Sequence, residues 1–124
     1  YQGGLNGVAS MVPLLAAASA PINGQIFDHH RRVWMDVNVK TLEKMPAGGG
    51  SDHASFNAVG VPGFYWDDVG RAHYRYAWHT QHDRIDQALP EYLMQSATCS
   101  AITAYNLACA PSMVPREVKE ADGK

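Results

Sequence analysis

An α/β fold is what this sequence predicts, and three observations carry the prediction. Residues 33–40 alternate apolar and polar, with Val33, Met35, Val37 and Val39 on one side and Trp34, Asp36, Asn38 and Lys40 on the other. That is the period of a half-buried strand. A run from about Leu89 to Ala110 carries helical spacing without a proline after Pro90. Shorter helical and strand segments alternate before it, in the order helix, strand, helix, strand, helix.

Taken in order, Leu5, Val8, Val12 and Leu15 recur at helical spacing, and Pro13 is tolerated if a helix begins near Ser10. Pro21 and Asn23-Gly24 end it. The strand at 33–40 follows, then the glycine triplet Gly48-Gly49-Gly50, where the backbone must bend sharply or approach another group closely. Residues 54–59 suit about a turn and a half of helix. Gly60-Val61-Pro62 leads into a second short strand, Gly63 to Trp66. From Asp67 to Asp83 the chain is aromatic and polar without period, and a loop this long in a compact domain is usually functional. In the last helix Leu93, Ala97, Ala101, Ala104 and Ala108 form a small-residue stripe that predicts close packing on a sheet. Two strands make a poor sheet by themselves, so the sheet is expected to be incomplete.

The composition bounds what the chain does. With 124 residues it is one domain at most, and 46% apolar with 18% charged residues places it among globular chains. A net charge of −2, with no basic block beyond Arg31-Arg32, argues against nucleic acid. No apolar run approaches the roughly 20 residues of a membrane span. Cys99 and Cys109 lie ten residues apart in one helical pattern, about 15 Å along its axis. A disulfide needs Cα atoms within about 7 Å, so both are expected to be small buried residues.

Six histidines occur, none in a zinc-finger or H-E-x-x-H spacing. His73, His79 and His82 lie in or beside the aromatic loop, where imidazole suits metal ligation or proton transfer, or is merely solvated. Asp28-His29-His30 is a weaker metal candidate, since adjacent histidines before a strand face opposite sides. Asp52-His53, after the glycines, either faces a pocket or places Asp52 as the cap of the helix at 54–59. Tyr65, Trp66, Tyr74, Tyr76 and Trp78 either line a pocket or cover the core.

At Trp78-His79-Thr80-Gln81-His82-Asp83, taken with Ser51-Asp52-His53, Phe56 and Gly60-Val61-Pro62, the chain resembles the C-terminal part of a known enzyme family. This is the zinc-dependent aminopeptidase and carboxypeptidase family that includes the bacterial dizinc aminopeptidases and the carboxypeptidase Q type. The likeness covers about residues 45–110.

The resemblance implies the C-terminal portion of a zinc-exopeptidase, phosphorylase/hydrolase-like three-layer αβα sandwich, with residues 1–111 in the catalytic domain and 112–124 a frayed tail. It implies two zinc ions in the intact enzyme, hydrolysis of terminal peptide bonds by a metal-activated water, and His79 as the last of five ligands. Asp52, His53, Asp83, Tyr65 and Trp78 then fall beside the metal or in the substrate pocket. The remaining ligands and the general-base glutamate belong to earlier segments, and no Glu-Glu pair occurs here. Arg84 stands where the family has Thr or Asn. The chain alone is therefore expected to be inactive. Its expected partners are a peptide substrate, the N-terminal part of the catalytic domain and a second copy across the exposed sheet edge. The composition leaves the compartment open, and the same resemblance favours a secreted or periplasmic location. The rival readings are a non-catalytic structural or interaction module and a zinc acyltransferase of the glutaminyl-cyclase type.

Overall fold

A computed structural model describes residues 4–67 and 74–116. The chain is mixed α/β: β1 (Gly4–Val8), α1 (Val12–Ser19), β2 (Ile26–Asp28), β3 (Val33–Met35), β4 (Asn38–Leu42), α2 (Asp52–Ala58), β5 (Trp66–Asp67), α3 (Tyr74–Ala77) and α4 (Pro90–Ala108). One sheet has the order β4-β1-β5, with β1 and β4 parallel and β5 antiparallel to β1. The other is the β2-β3 hairpin.

Leu5 and Val8 belong to β1, not to the first helix, which starts at Val12. The segment Gly-Leu-Asn-Gly-Val is weak in β-formers and becomes a strand through its partners, Asn38 to Leu42 on one side and Trp66-Asp67 on the other. Helix α1 lies directly over it. A Cβ on Gly7 would stand 2.8 Å from Leu15 Cδ1 and 3.2 Å from Met11 Cβ, so a side chain there would have to displace the Leu15 methyl. Pro13 sits in the first turn of α1, where its missing N–H is not needed.

The segment read as one strand, 33–40, is two. Val33–Met35 pairs back on Ile26–Asp28, while Asn38–Leu42 joins β1. Between them Val37 N–H donates to Asn23 Oδ1 at 2.8 Å and Gly24 N–H to the Met35 carbonyl at 3.1 Å. The inward alternation survives the break, since Met35 and Val37 are buried and Val39 half-buried. Val33 is exposed.

Two apolar clusters make the core. Leu5, Met11, Leu15 and Met45 form one, with Val8, Val39, Phe64, Leu107 and Val114 packed on it. Ile22, Val37 and Cys99 form the other, with Ile26 and Ile102, and Trp66 touches both.

Helix α4 buries a different face from the small-residue stripe. Tyr92, Gln95, Cys99 and Thr103 are buried, whereas Leu93, Ala97, Ala101, Ala104 and Ala108 are exposed. The buried face lies about 155° around the helix from that stripe, so the stripe points almost directly away from the core. Polar anchors at its two ends set this rotation. Tyr92 OH donates to the buried Asp28 Oδ2 at 2.9 Å, and Asn106 Nδ2 donates to the Ala18 carbonyl of α1 at 2.8 Å. The cysteines divide as well: Cys99 is buried, but Cys109 lies just past the helix and is exposed.

Candidate functional site

The chain leaves α3 through a tight run that carries His79, His82 and Asp83. Trp78 N–H donates to the Tyr74 carbonyl at 2.7 Å and Thr80 N–H to the Ala77 carbonyl at 3.1 Å. Thr80 then staples the turn. Its hydroxyl donates to the Tyr76 carbonyl at 2.7 Å and accepts the His82 N–H at 3.1 Å. Asp83 N–H closes on the Thr80 carbonyl at 3.2 Å. His79 has φ 57°, a left-handed conformation uncommon for a residue with a Cβ. Its imidazole is exposed and tilts against Trp78, centroids 4.3 Å apart. Trp78 stacks in turn on Tyr74 at 5.7 Å, and Tyr76 on His82 at 4.4 Å.

Tyr74, Tyr76 and Trp78 are exposed, so core cover is not their role. Tyr65 and Trp66, nearer the sheet, are half-buried. His73 lies outside the described residues.

The glycine loop resolves into φ 110° at Gly49 and φ 69° at Gly50, values glycine adopts without strain. It brings the chain past His53: a Cβ built on Gly49 would be 3.9 Å from His53 Nε2. Asp52 is exposed and is the first residue of α2. Ser51 holds the cap position instead, without a side-chain bond, so the capping role assigned to Asp52 is corrected. A carboxylate in the first turn still interacts favourably with the helix dipole, by roughly 0.3–1 kcal/mol. His53 is half-buried, its ring 4.7 Å from that of Tyr65, and its Nδ1 is buried without a hydrogen-bond partner.

Asn57 organises this corner and has no counterpart among the residues read from the sequence. Its Nδ2 donates to the Pro46 carbonyl at 2.9 Å and the Gly63 carbonyl at 3.0 Å, while its Oδ1 accepts the Gly63 N–H at 2.7 Å. One amide thus ties the segment leading into the glycines to α2 and to Gly63, in the irregular stretch before β5; the strand expected at 63–66 forms only at Trp66–Asp67, where β1 supplies a partner. Gly63 must be glycine there, because a Cβ would meet the His53 carbonyl oxygen at 2.7 Å. The available signal was a polar residue of low helix propensity inside a short helix.

Two histidine-bearing corners therefore exist, at 52–57 and 78–83. Among the described residues no hydrogen bond, ion pair or ring contact joins His79 to Asp52, His53 or Asp83. No three of the described His, Cys, Asp and Glu residues group as metal ligands. Asp28-His29-His30 is not a metal site either. Both histidines are exposed, while Asp28 is fully buried and spends its Oδ1 on the His30 and Arg31 N–H groups, each at 3.0 Å. Burial pushes the Cys99 thiol up to about 11 from its ordinary 9.0, which keeps it protonated and inert inside the core.

Residues 12–103 match the profile of Peptidase family M28. The chain belongs to that family. No curated protein and no solved structure matches it. Family M28 members are peptidases and are generally zinc-dependent. A catalytic zinc takes about three protein ligands and an open position for water, and a zinc pair needs more. The described residues by themselves do not fit such a pair, because their histidines and carboxylates stand apart.

Proposed function

We propose that this M28 chain supplies one corner of a zinc exopeptidase of the aminopeptidase and carboxypeptidase Q type, which hydrolyses a terminal peptide bond. His79 is the metal ligand it offers, and the other ligands and the base come from polypeptide beyond these residues. The observation that supports this reading is the construction of the 78–83 turn. A left-handed, exposed histidine is held by the Thr80 staple on one side and the Trp78 ring on the other, with its imidazole free to meet an incoming group. Asp83 follows within the same turn, where a carboxylate would orient a ligating imidazole. His53 and Tyr65 form the second wall, and the peptide substrate is expected between the two corners. No hydrolytic step is assigned to the residues of this chain alone.

The separation of the ligands supports a second reading, a non-catalytic structural or interaction module. One experiment distinguishes the two. Zinc content and dipeptide hydrolysis are measured for this chain, for the longer reading frame that contains it, and for His79→Ala in each. The proposal expects little zinc and no turnover for the chain. It expects two zinc ions and activity for the longer protein, with loss of one metal and most turnover on His79→Ala. Stoichiometric zinc and cleavage by the chain alone, or full activity of the longer protein carrying His79→Ala, would sink it. No zinc and no activity in either form establishes the module.

A further inference from the structure

The β2-β3 hairpin is built with more care than its size requires. Its four-residue tip is His29-His30-Arg31-Arg32, and all four residues are exposed. Beneath the tip Asp28 is fully buried. Oδ1 gathers the N–H groups of His30 and Arg31, and Oδ2 takes the hydroxyl of Tyr92 from α4, 64 residues away in sequence. The Arg32 N–H closes the loop on the Asp28 carbonyl at 2.7 Å. The carboxylate of the hairpin is thus committed to the backbone and to α4. Among the described residues neither arginine makes an ion pair.

Arg32 has φ 57°. Glycine would take that conformation without strain, yet the position holds a long cationic side chain. Next to it, Trp34 is 59% exposed and Val33 36% exposed. Across the strand pair Phe27 meets Trp34 edge-on at 5.2 Å, and His29 packs edge-on against Phe27 at 5.1 Å. The outward face of the hairpin is therefore an aromatic wall crowned by paired arginines, on a chain whose overall charge is −2.

We propose that this hairpin tip is a docking surface for an anionic lipid bilayer, with Arg31 and Arg32 on the headgroup phosphates and Trp34 in the interface. Charge complementarity selects a negative partner. The shape and the tryptophan select the bilayer over a soluble polyanion. A turn of four exposed residues is too short to grip a polymer, whereas indole and the methylene stems of arginine partition to the headgroup boundary while their polar ends stay wet. No described helix is long and apolar enough to cross a membrane, so the contact is peripheral. Each arginine near an anionic surface contributes about a five-fold increase in partitioning, and the pair about 25-fold.

The test is co-sedimentation of the chain with phosphatidylcholine vesicles and with vesicles containing 30 mol% phosphatidylserine, at about 0.1 M and 1 M salt. Arg31→Gln/Arg32→Asn is run alongside, asparagine being chosen because it tolerates left-handed backbone. The expected result is binding to the anionic vesicles alone, its loss at 1 M salt, and a drop of about 25-fold in the double variant with an unchanged melting midpoint. If that variant folds poorly, brominated lipid decides on the parent: tryptophan emission is quenched, and Trp34→Phe abolishes the quenching although Trp66 and Trp78 remain. Equal binding to neutral vesicles, undiminished binding by the folded double variant, or quenching that survives Trp34→Phe would overturn the proposal. So would tight binding of a DNA oligonucleotide that depends on the arginines while the anionic vesicles are ignored.

Discussion

Replacing Asn57 by alanine removes three hydrogen bonds at once, two donated to the Pro46 and Gly63 carbonyls and one accepted from the Gly63 N–H. At a net contribution of about 1 kcal/mol each, the substitution should cost about 3 kcal/mol. Unfolding entropy of about 2.1 cal/mol/K per residue amounts to about 0.26 kcal/mol/K over this chain. The melting midpoint should then fall by about 12 °C. Asn38→Ala is the matched control, because Asn38 is exposed at the start of β4 and its loss should stay within about 0.5 kcal/mol, or about 2 °C. Thermal melts followed by circular dichroism compare the two. If both variants melt within 2 °C of the parent, Asn57 does not join the glycine loop to Gly63. The account of how the His53 corner is held would then be wrong.

Ala101→Leu on the outer face of α4 should change stability by less than about 0.5 kcal/mol in a denaturant titration. A loss of 1–3 kcal/mol would show that this stripe is packed. Tyr92→Phe should cost about 1.5–3 kcal/mol by the same titration, because it withdraws a donor from a buried carboxylate. The Cys99 thiol holds its proton to about 11 when folded and to the ordinary 9.0 when unfolded. Protons therefore leave the unfolded chain first, and the stabilisation, complete below pH 9, declines as pH rises toward 11. Cys99→Ala should flatten that part of the stability profile. A thiol reagent should label Cys109 in the native chain and reach Cys99 only on unfolding.

What the sequence determined by itself is what short-range physics controls. Pro13 in a first turn, the long last helix and the sharp bend at the glycine triplet all answer to local backbone preferences. The mixed α/β class was legible for the same reason. The ordered motifs at 51–56, 60–62 and 79–83 pointed to the peptidase family, and the family match over residues 12–103 agrees. Tertiary structure decided the rest. Gly4–Val8 is a strand only because β4 and β5 bracket it. The single strand read at 33–40 splits because the Asn23 side chain and Gly24 engage its middle. The rotation of α4 was hidden because Asp28 lies 64 residues from Tyr92 and Ala18 lies 88 from Asn106. The stripe of alanines could have faced either way; two hydrogen bonds across that separation turn it outward, and nothing in the local pattern contains them.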